Sequence, residues 1–246
     1  MIYGDNWRYF GSFANFFTIS NLSKKKLHFM RFSMKVRKRI CLKGLFEPTC
    51  YSCGKPMKNH EKEYCSDCRQ HPKNFERGMG LCIYQKPVTN SLAAIKYKNE
   101  RKFAKYYLEE IQKRKYRDLL QLKIDVIIPV PIHRKKRRKR GFNQAEIFAN
   151  GIAEMLNKPM YTKIVERIHD TKPQKQLNPG ERKSNLKKAF RGNLKEYQRA
   201  GMPKRVLLVD DIYTTGSTAE AVTAALKQLG IREVYVFCIA IGKGFS

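Results

Sequence analysis

Acidic residues are scarce in this chain: 21 Asp and Glu stand against 51 Lys and Arg, a formal net charge of +30. Between Asp5 and Glu47 there is no acid at all. Such an imbalance exceeds what solubility needs and points to a polyanionic partner. Nucleic acid is the commonest one, because each neutralised phosphate releases counterions; the alternative is a merely solvated basic surface. Long apolar runs are also missing. None reaches the roughly 18 residues needed to cross a bilayer, and candidates such as Val126 to Val130 are interrupted by proline, so no membrane span is expected. A secreted disulfide framework is excluded by the cysteine pattern. Of seven cysteines, four fall in two Cys-x-x-Cys pairs while Cys41, Cys82 and Cys238 stand alone, as in a reducing cytoplasm. No internal repeat is visible.

What is present divides the chain. Residues 1–44 form a basic segment carrying Lys24, Lys25, Lys26, Arg31, Lys35, Arg37, Lys38, Arg39 and Lys43. It lacks the apolar region and cleavage site of a secretory signal; an alternative is a true start downstream, for example at Met34. Residues 45–75 hold the paired cysteines, and 76–246 form the main domain. Over the whole chain, 42% apolar residues in 246 positions suffice for a real core. A strand is predicted at Gly80 to Tyr84, a helical region from Val88 to about Leu120, and a buried strand at Ile124 to Val130. An amphipathic helix follows from Asn143 to Asn157, with Ala145, Phe148, Ile152, Met155 and Leu156 on one side. Val206 to Val209 reads as a strand, Ser217 to Leu229 as a helix stopped by Gly230, and Val234 to Ala240 as a last strand. This alternation predicts an α/β fold with a mainly parallel sheet.

The most informative stretch is Val206-Leu-Leu-Val-Asp-Asp-Ile-Tyr-Thr-Thr-Gly-Ser-Thr218. Ligands of open α/β sheets sit beyond the carboxyl ends of strands, where Asp210 and Asp211 emerge. Thr214, Thr215, Ser217 and Thr218 offer hydroxyls, Gly216 lets amides approach an anion, and the following helix adds its positive end. Two acids beside a phosphate holder would repel the phosphate itself, so they ask for neutral partners such as vicinal sugar hydroxyls. The segment resembles the phosphoribosyl-pyrophosphate signature of type I phosphoribosyltransferases. That resemblance implies that Asp210 and Asp211 contact the ribose hydroxyls and that Thr214 to Thr218 hold the 5′-phosphate of 5-phosphoribosyl 1-pyrophosphate, or of a related ribose phosphate, with magnesium on the pyrophosphate.

Upstream, Pro129-Val-Pro-Ile-His133 runs into a stretch, 134–140, in which every residue is basic. A run of like charges is usually just solvated; if this loop faces the Asp210 crevice, Arg134 and Lys135 can neutralise a pyrophosphate, and the other cations serve a larger anion. Thr171 to Leu186, with two prolines and a glycine, reads as a mobile lid or as a surface excursion. Together, Gly141-Phe-Asn-Gln-Ala145, Asp170-Thr-Lys-Pro-Gln174, Glu181-Arg-Lys-Ser-Asn-Leu186, Ala189-Phe190 and Val209-Asp-Asp-Ile-Tyr-Thr-Thr-Gly216 resemble the ComF family of competence proteins over about residues 45–242. The resemblance implies a role in natural transformation on incoming single-stranded DNA, a helicase-like companion and a type I phosphoribosyltransferase fold preceded by a small zinc-knuckle domain.

Cys50-Tyr-Ser-Cys53 and Cys65-Ser-Asp-Cys68 are separated by eleven residues. Two such turns complete a tetrahedral thiolate site, and Gly54 suits the bend, so a structural zinc is expected at Cys50, Cys53, Cys65 and Cys68. Redox use of a lone pair is the rival, which two pairs this close disfavour. ComF members commonly carry further cysteine pairs upstream; here that stretch has only Cys41, so a second zinc is not expected. Cys82 and Cys238 read as buried strand residues, and His60 and His71 are not needed by a four-thiolate site.

Two functions from different classes follow. One is a DNA-uptake accessory protein whose ribose-phosphate pocket binds without routine turnover; the other is an active magnesium-dependent phosphoribosyltransferase with an unidentified acceptor. No convincing general base is visible, with Glu181 and Asp170 as weak candidates. The absence of a helix-turn-helix signature argues against a DNA-binding regulator.

Overall fold

The structure is a computed structural model that describes residues 48–57, 63–169 and 189–243, all within one unit of the chain, Arg39–Ser246. The basic segment 1–44, His60, Asp170, Glu181 and the expected lid at 171–186 lie outside the described residues. In chain order the elements are α1 (Ser66–Gln70), β1 (Arg77–Ile83), α2 (Val88–Lys98), α3 (Lys102–Arg114), α4 (Tyr116–Gln121), β2 (Val126–Pro129), α5 (Arg134–Arg140), α6 (Gln144–Leu156), β3 (Val165–Arg167), β4 (Phe190–Gly192), α7 (Leu194–Arg199), β5 (Arg205–Tyr213), α8 (Ser217–Gln228) and β6 (Glu233–Ile241).

Four strands form one sheet in the order β1-β6-β5-β2, every pair parallel. Parallel neighbours need crossovers, and crossovers cover both faces, which is why Val206 to Val209 and Val126 to Pro129 are apolar without alternation and buried throughout. Alternate residues of β5 serve different sides. Val206 and Leu208 join a core with α8, Val165, Phe190 and three of the paired cysteines. Leu207 and Val209 point to the other face, where α6 lies along β2 and β5 and α3 packs on α6. There Tyr107 and Phe148, both fully buried, meet edge to face at 6.1 Å. Among the described residues no helix is long and apolar enough to cross a membrane.

The α/β fold with a parallel sheet is as predicted, while several elements differ locally. The helical region is three helices, broken where Asn99 turns left-handed at φ 54° and again at Lys115. The all-basic stretch, expected as a loop, is the helix α5. His133 caps it by accepting the Lys135 amide at 3.3 Å, and Gly141 ends it at φ 79° by donating to the Arg137 carbonyl. Arginine and lysine are good helix formers, and cations in the last turn suit the helix dipole. The strand expected at Val206 to Val209 continues to Tyr213, held by β6 through Asp210↔Cys238 and Tyr213↔Ile241. The two acids therefore stand within the strand rather than at its very end. The small antiparallel pair β3–β4 has no counterpart in the sequence reading.

Candidate anion site at the ends of the parallel strands

Asp210 and Asp211 ride the last turns of pleat in β5. Asp210 turns a carboxylate oxygen, Oδ1, back to accept the Asp211 amide at 2.8 Å. Burial, reinforced by the neighbouring charge of Asp211, pushes the Asp210 carboxyl well above the usual carboxylate range. Asp211 has a cation of its own: Lys96, near the end of α2, donates to its Oδ2 at 3.3 Å. Cys238, opposite Asp210, is fully buried, and desolvation with the two acids beside it pushes its thiol up as well. It is a packing residue, as expected of a strand cysteine.

After β5 the chain makes the loop singled out in the sequence. Thr214 and Thr215 are exposed, and Ser217 and Thr218 are half-buried. The hydroxyls of Thr215 and Ser217 lie 2.9 Å apart, and the Ser217 amide reaches Thr215 Oγ1 at 3.4 Å. Gly216 caps α8 at φ 82° and offers no side-chain capping bond of its own, so beyond Ser217, whose amide reaches Thr215, the early amides of the helix are not used by a cap. A side chain at Gly216 has no room, since its Cβ would lie 2.3 Å from the Tyr213 hydroxyl. That hydroxyl is buried with no partner among the described residues. Gly216, read from sequence as a route for amides to an anion, also seats the loop on Tyr213.

The second loop begins beside the first. The Val130 amide donates to the Val209 carbonyl at 2.8 Å, so the ends of β2 and β5 are adjacent. Asn143 anchors the far side: its Nδ2 donates to the Val130 carbonyl at 2.9 Å while its Oδ1 accepts the Ala145 amide and caps α6. Arg134 and Lys135 open α5 as exposed side chains, and no hydrogen bond or ion pair joins either to Asp210, Asp211 or 214–218 among the described residues. The structure thus brings the acids, the hydroxyl loop and Lys96 together, and sets the two cations on the first turn of α5, the helix that follows β2. Lys96 was not singled out in the sequence, where 115 positions separate it from Asp211.

The cysteines converge. Ligand sulfurs of Cys50, Cys53, Cys65 and Cys68 all lie within 4.8 Å of one another, and Cys53 and Cys65 are 3.7 Å apart. Four thiolates about 2.3 Å from a zinc sit ~3.8 Å from each other, so the set fits that metal. None of the six described cysteines is in a disulfide. A hydrogen bond from Cys53, helped by the Cys53, Cys65 and Ser52 amides, holds the Cys50 thiol down to about 4. The same bond and burial push Cys53 up, and burial pushes Cys68 up to about 11. Such a buried, partly protonated cluster is one that a dication relieves. His71 lies 3.6 Å from Asp67 and is not among the clustered ligands.

The knuckle rests directly on the sheet. Gly78 of β1 donates to the Ser52 carbonyl at 2.6 Å, and a Cβ on Gly54 or Gly78 would lie 2.5 Å from Gly78 O or 2.7 Å from Cys53 O. Phe75 meets Tyr213 edge to face at 6.4 Å, and Lys55 Nζ stands 6.0 Å over the same ring. Asn74 donates twice to Glu220 in the first turn of α8, at 3.0 and 2.8 Å. Tyr213 therefore lies between the cysteine cluster and the phosphate-type loop.

No protein-family model matches the chain. Among curated proteins it is 30% identical to the DNA utilization protein YhgH of Shigella flexneri over 194 residues, 77% of this chain and 82% of that protein. The chain belongs to the ComF family. Competence protein F of Haemophilus influenzae is 29% identical over 197 residues, 78% of this chain and 84% of the relative. Competence protein ComFC of Bacillus subtilis is 22% identical over 211 residues, 81% and 82% of the two chains. Among solved structures, a purine phosphoribosyltransferase from Pyrococcus horikoshii Ot3 aligns with 55% of this chain and 74% of its own, at 23% identity and a TM-score of 0.36. In this ComF chain two of the segments that carried the family resemblance meet the ends of adjacent strands: Val209 to Gly216 at the end of β5, and Gly141 to Ala145 through the Asn143 bond to Val130, just past β2.

Proposed function

We propose that this ComF protein is a cytoplasmic accessory factor of DNA uptake in natural transformation, which holds a ribose phosphate at the β5–α8 loop and binds single-stranded DNA on its basic surface. The preferred small ligand is 5-phosphoribosyl 1-pyrophosphate, arriving with magnesium. The observation that carries this reading is the juxtaposition at one strand end: two adjacent carboxylates, with Lys96 bonded to Asp211, next to the exposed hydroxyls of Thr214 and Thr215 and the start of α8. A phosphate suits the amides of Gly216, Ser217 and Thr218 and the hydroxyls of Thr214 and Thr215. Vicinal hydroxyls of a ribose suit Asp210 and Asp211, and a bound polar ligand would relieve the half-buried Asp210. Arg134 and Lys135, exposed at the start of α5, would supply cations to the pyrophosphate. A zinc in the four-cysteine site is structural, because four thiolates leave no open position. The names of the relatives, competence protein and DNA utilization protein, support the cellular role, in which a helicase-like protein is the expected companion. The division into a basic segment 1–44, a knuckle 45–75 and a ligand-binding domain 76–246 goes with this proposal.

Calorimetric titration with magnesium and 5-phosphoribosyl 1-pyrophosphate tests it, with the Asp210→Ala, Asp211→Ala double variant at the same salt. Saturable binding by the wild type that disappears in the variant is expected. Zinc-loaded, folded wild type that takes up no ligand would remove the pocket from the proposal. Pyrophosphate release on adding a nucleophilic acceptor would move the protein to the active phosphoribosyltransferases.

A further inference from the structure

Tyr97 is 71% exposed, more than any other large apolar residue described. Burial does not explain it. Its ring is nonetheless held: the Arg140 guanidinium, from the end of α5, lies 5.3 Å from the ring centroid. A second arginine–aromatic pair adjoins it in reversed sense, with Arg101 4.6 Å over Phe142. The connections 97–101 and 140–142 thus interleave two cations and two rings.

Three acids near this surface are already paired. Glu100 pairs with Lys102 at 2.6 Å, Glu146 with Arg137, and Asp211 with Lys96 at 3.3 Å. Arg134, Lys135, Arg138 and Lys139 of α5 are exposed. The patch is therefore a cationic stripe ending on an open aromatic face. A polyanion that presents flat π-faces of its own fits it: a single-stranded nucleic acid, whose phosphates meet the cations while a base lies on the ring. A duplex keeps its faces stacked inside, and an acidic peptide has none to offer.

We propose that Tyr97, steadied by Arg140, is a base-stacking platform for single-stranded DNA whose backbone runs along α5. This rests on the single-strand-binding reading above and assigns it a residue. Lys96, the residue before Tyr97, bonds Asp211, so the platform adjoins the ribose-phosphate site.

The test is fluorescence anisotropy of a labelled 20-nucleotide poly-dT with the full, zinc-loaded chain over a range of salt. Tyr97→Ala is expected to weaken binding by about 5- to 150-fold, the range for loss of one base–aromatic stack, with the slope against log salt unchanged. Tyr97→Phe, which keeps the π-face, is expected to restore it. Wild-type affinity in Tyr97→Ala while the wild type still binds DNA overturns the platform alone. So does a duplex of equal length, or polyglutamate, competing as well as the single strand. No poly-dT binding by the wild type overturns the single-strand reading itself.

Discussion

Asp210 exposes a conflict between folding and binding. Its carboxyl is pushed up by burial and by Asp211, so the folded protein holds that proton more tightly than the unfolded chain, where an aspartate titrates near about 3.9. Between that value and the raised folded one, the folded state binds more protons. Stability is then fully present at pH values below about 4 and declines as pH rises through the folded value. Asp210→Asn removes the titration and keeps the shape. It is expected to melt above the wild type at pH 8, by about 2–4 °C for each kcal/mol gained in a chain of this size, and to match it near pH 4. Ribose-phosphate binding, followed by calorimetry, is expected to be lost in the same variant. Thermal melts of both proteins that run parallel from pH 4 to 8 would show that Asp210 bears no such burden. Asp210, Asp211, the hydroxyls and Gly216 were legible because they are contiguous in sequence. Lys96 was not, because its pairing with Asp211 depends on how α2 crosses to the strand ends.

Among the elements, the knuckle is coupled to the loop more closely than its sequence indicates. Cysteine spacing makes the metal set readable, but Gly54 and Gly78 are also ordinary turn and strand glycines, and only the fold brings their backbones into contact. The α5 helix was hidden for another reason: seven like charges read as a solvated run until His133 and Gly141 are seen capping both ends. From the knuckle, Phe75 and Lys55 press on Tyr213, Tyr213 fills the space under Gly216, and Asn74 fastens Glu220 in the first turn of α8. Structural zinc sites supply ~10–16 kcal/mol of apparent binding energy in isolated peptides, so stripping the metal should loosen this seat. Hydrogen exchange at the Glu220 amide, which donates to the Gly216 carbonyl at 2.9 Å, is expected to speed up at least about tenfold on chelation, a change of roughly 1.4 kcal/mol in local opening. The Val126 to Ile128 amides, on the far edge strand, are expected to stay protected. Unchanged exchange at Glu220 in metal-free protein would mean that the knuckle supports only itself.

For the whole molecule, the alternation of apolar strands and amphipathic helices carried the architecture, since a buried parallel strand and a helix face each leave a long local pattern. The β3–β4 pair left none, being two three-residue strands whose partners are distant in sequence. Net charge is the other whole-molecule property, and +30 by itself does not say which cations meet DNA. Two anion sites are proposed on neighbouring surfaces, and they make separable demands. Arg134 and Lys135 open α5 near the strand ends, whereas Arg138 and Lys139 lie a turn further along it and are exposed. On a single strand each phosphate contact contributes about 0.7 to the slope of log affinity against log salt. Arg138→Gln with Lys139→Gln is therefore expected to flatten that slope by about 1.4, measured by anisotropy on poly-dT between 50 and 300 mM salt, and to leave calorimetric binding of the ribose phosphate unchanged. An unchanged slope would shift the DNA-binding charge away from α5 and toward the other cations of the chain, among them the acid-free stretch between Asp5 and Glu47. A parallel loss of ribose-phosphate binding would instead mean that the two sites are one continuous anion surface.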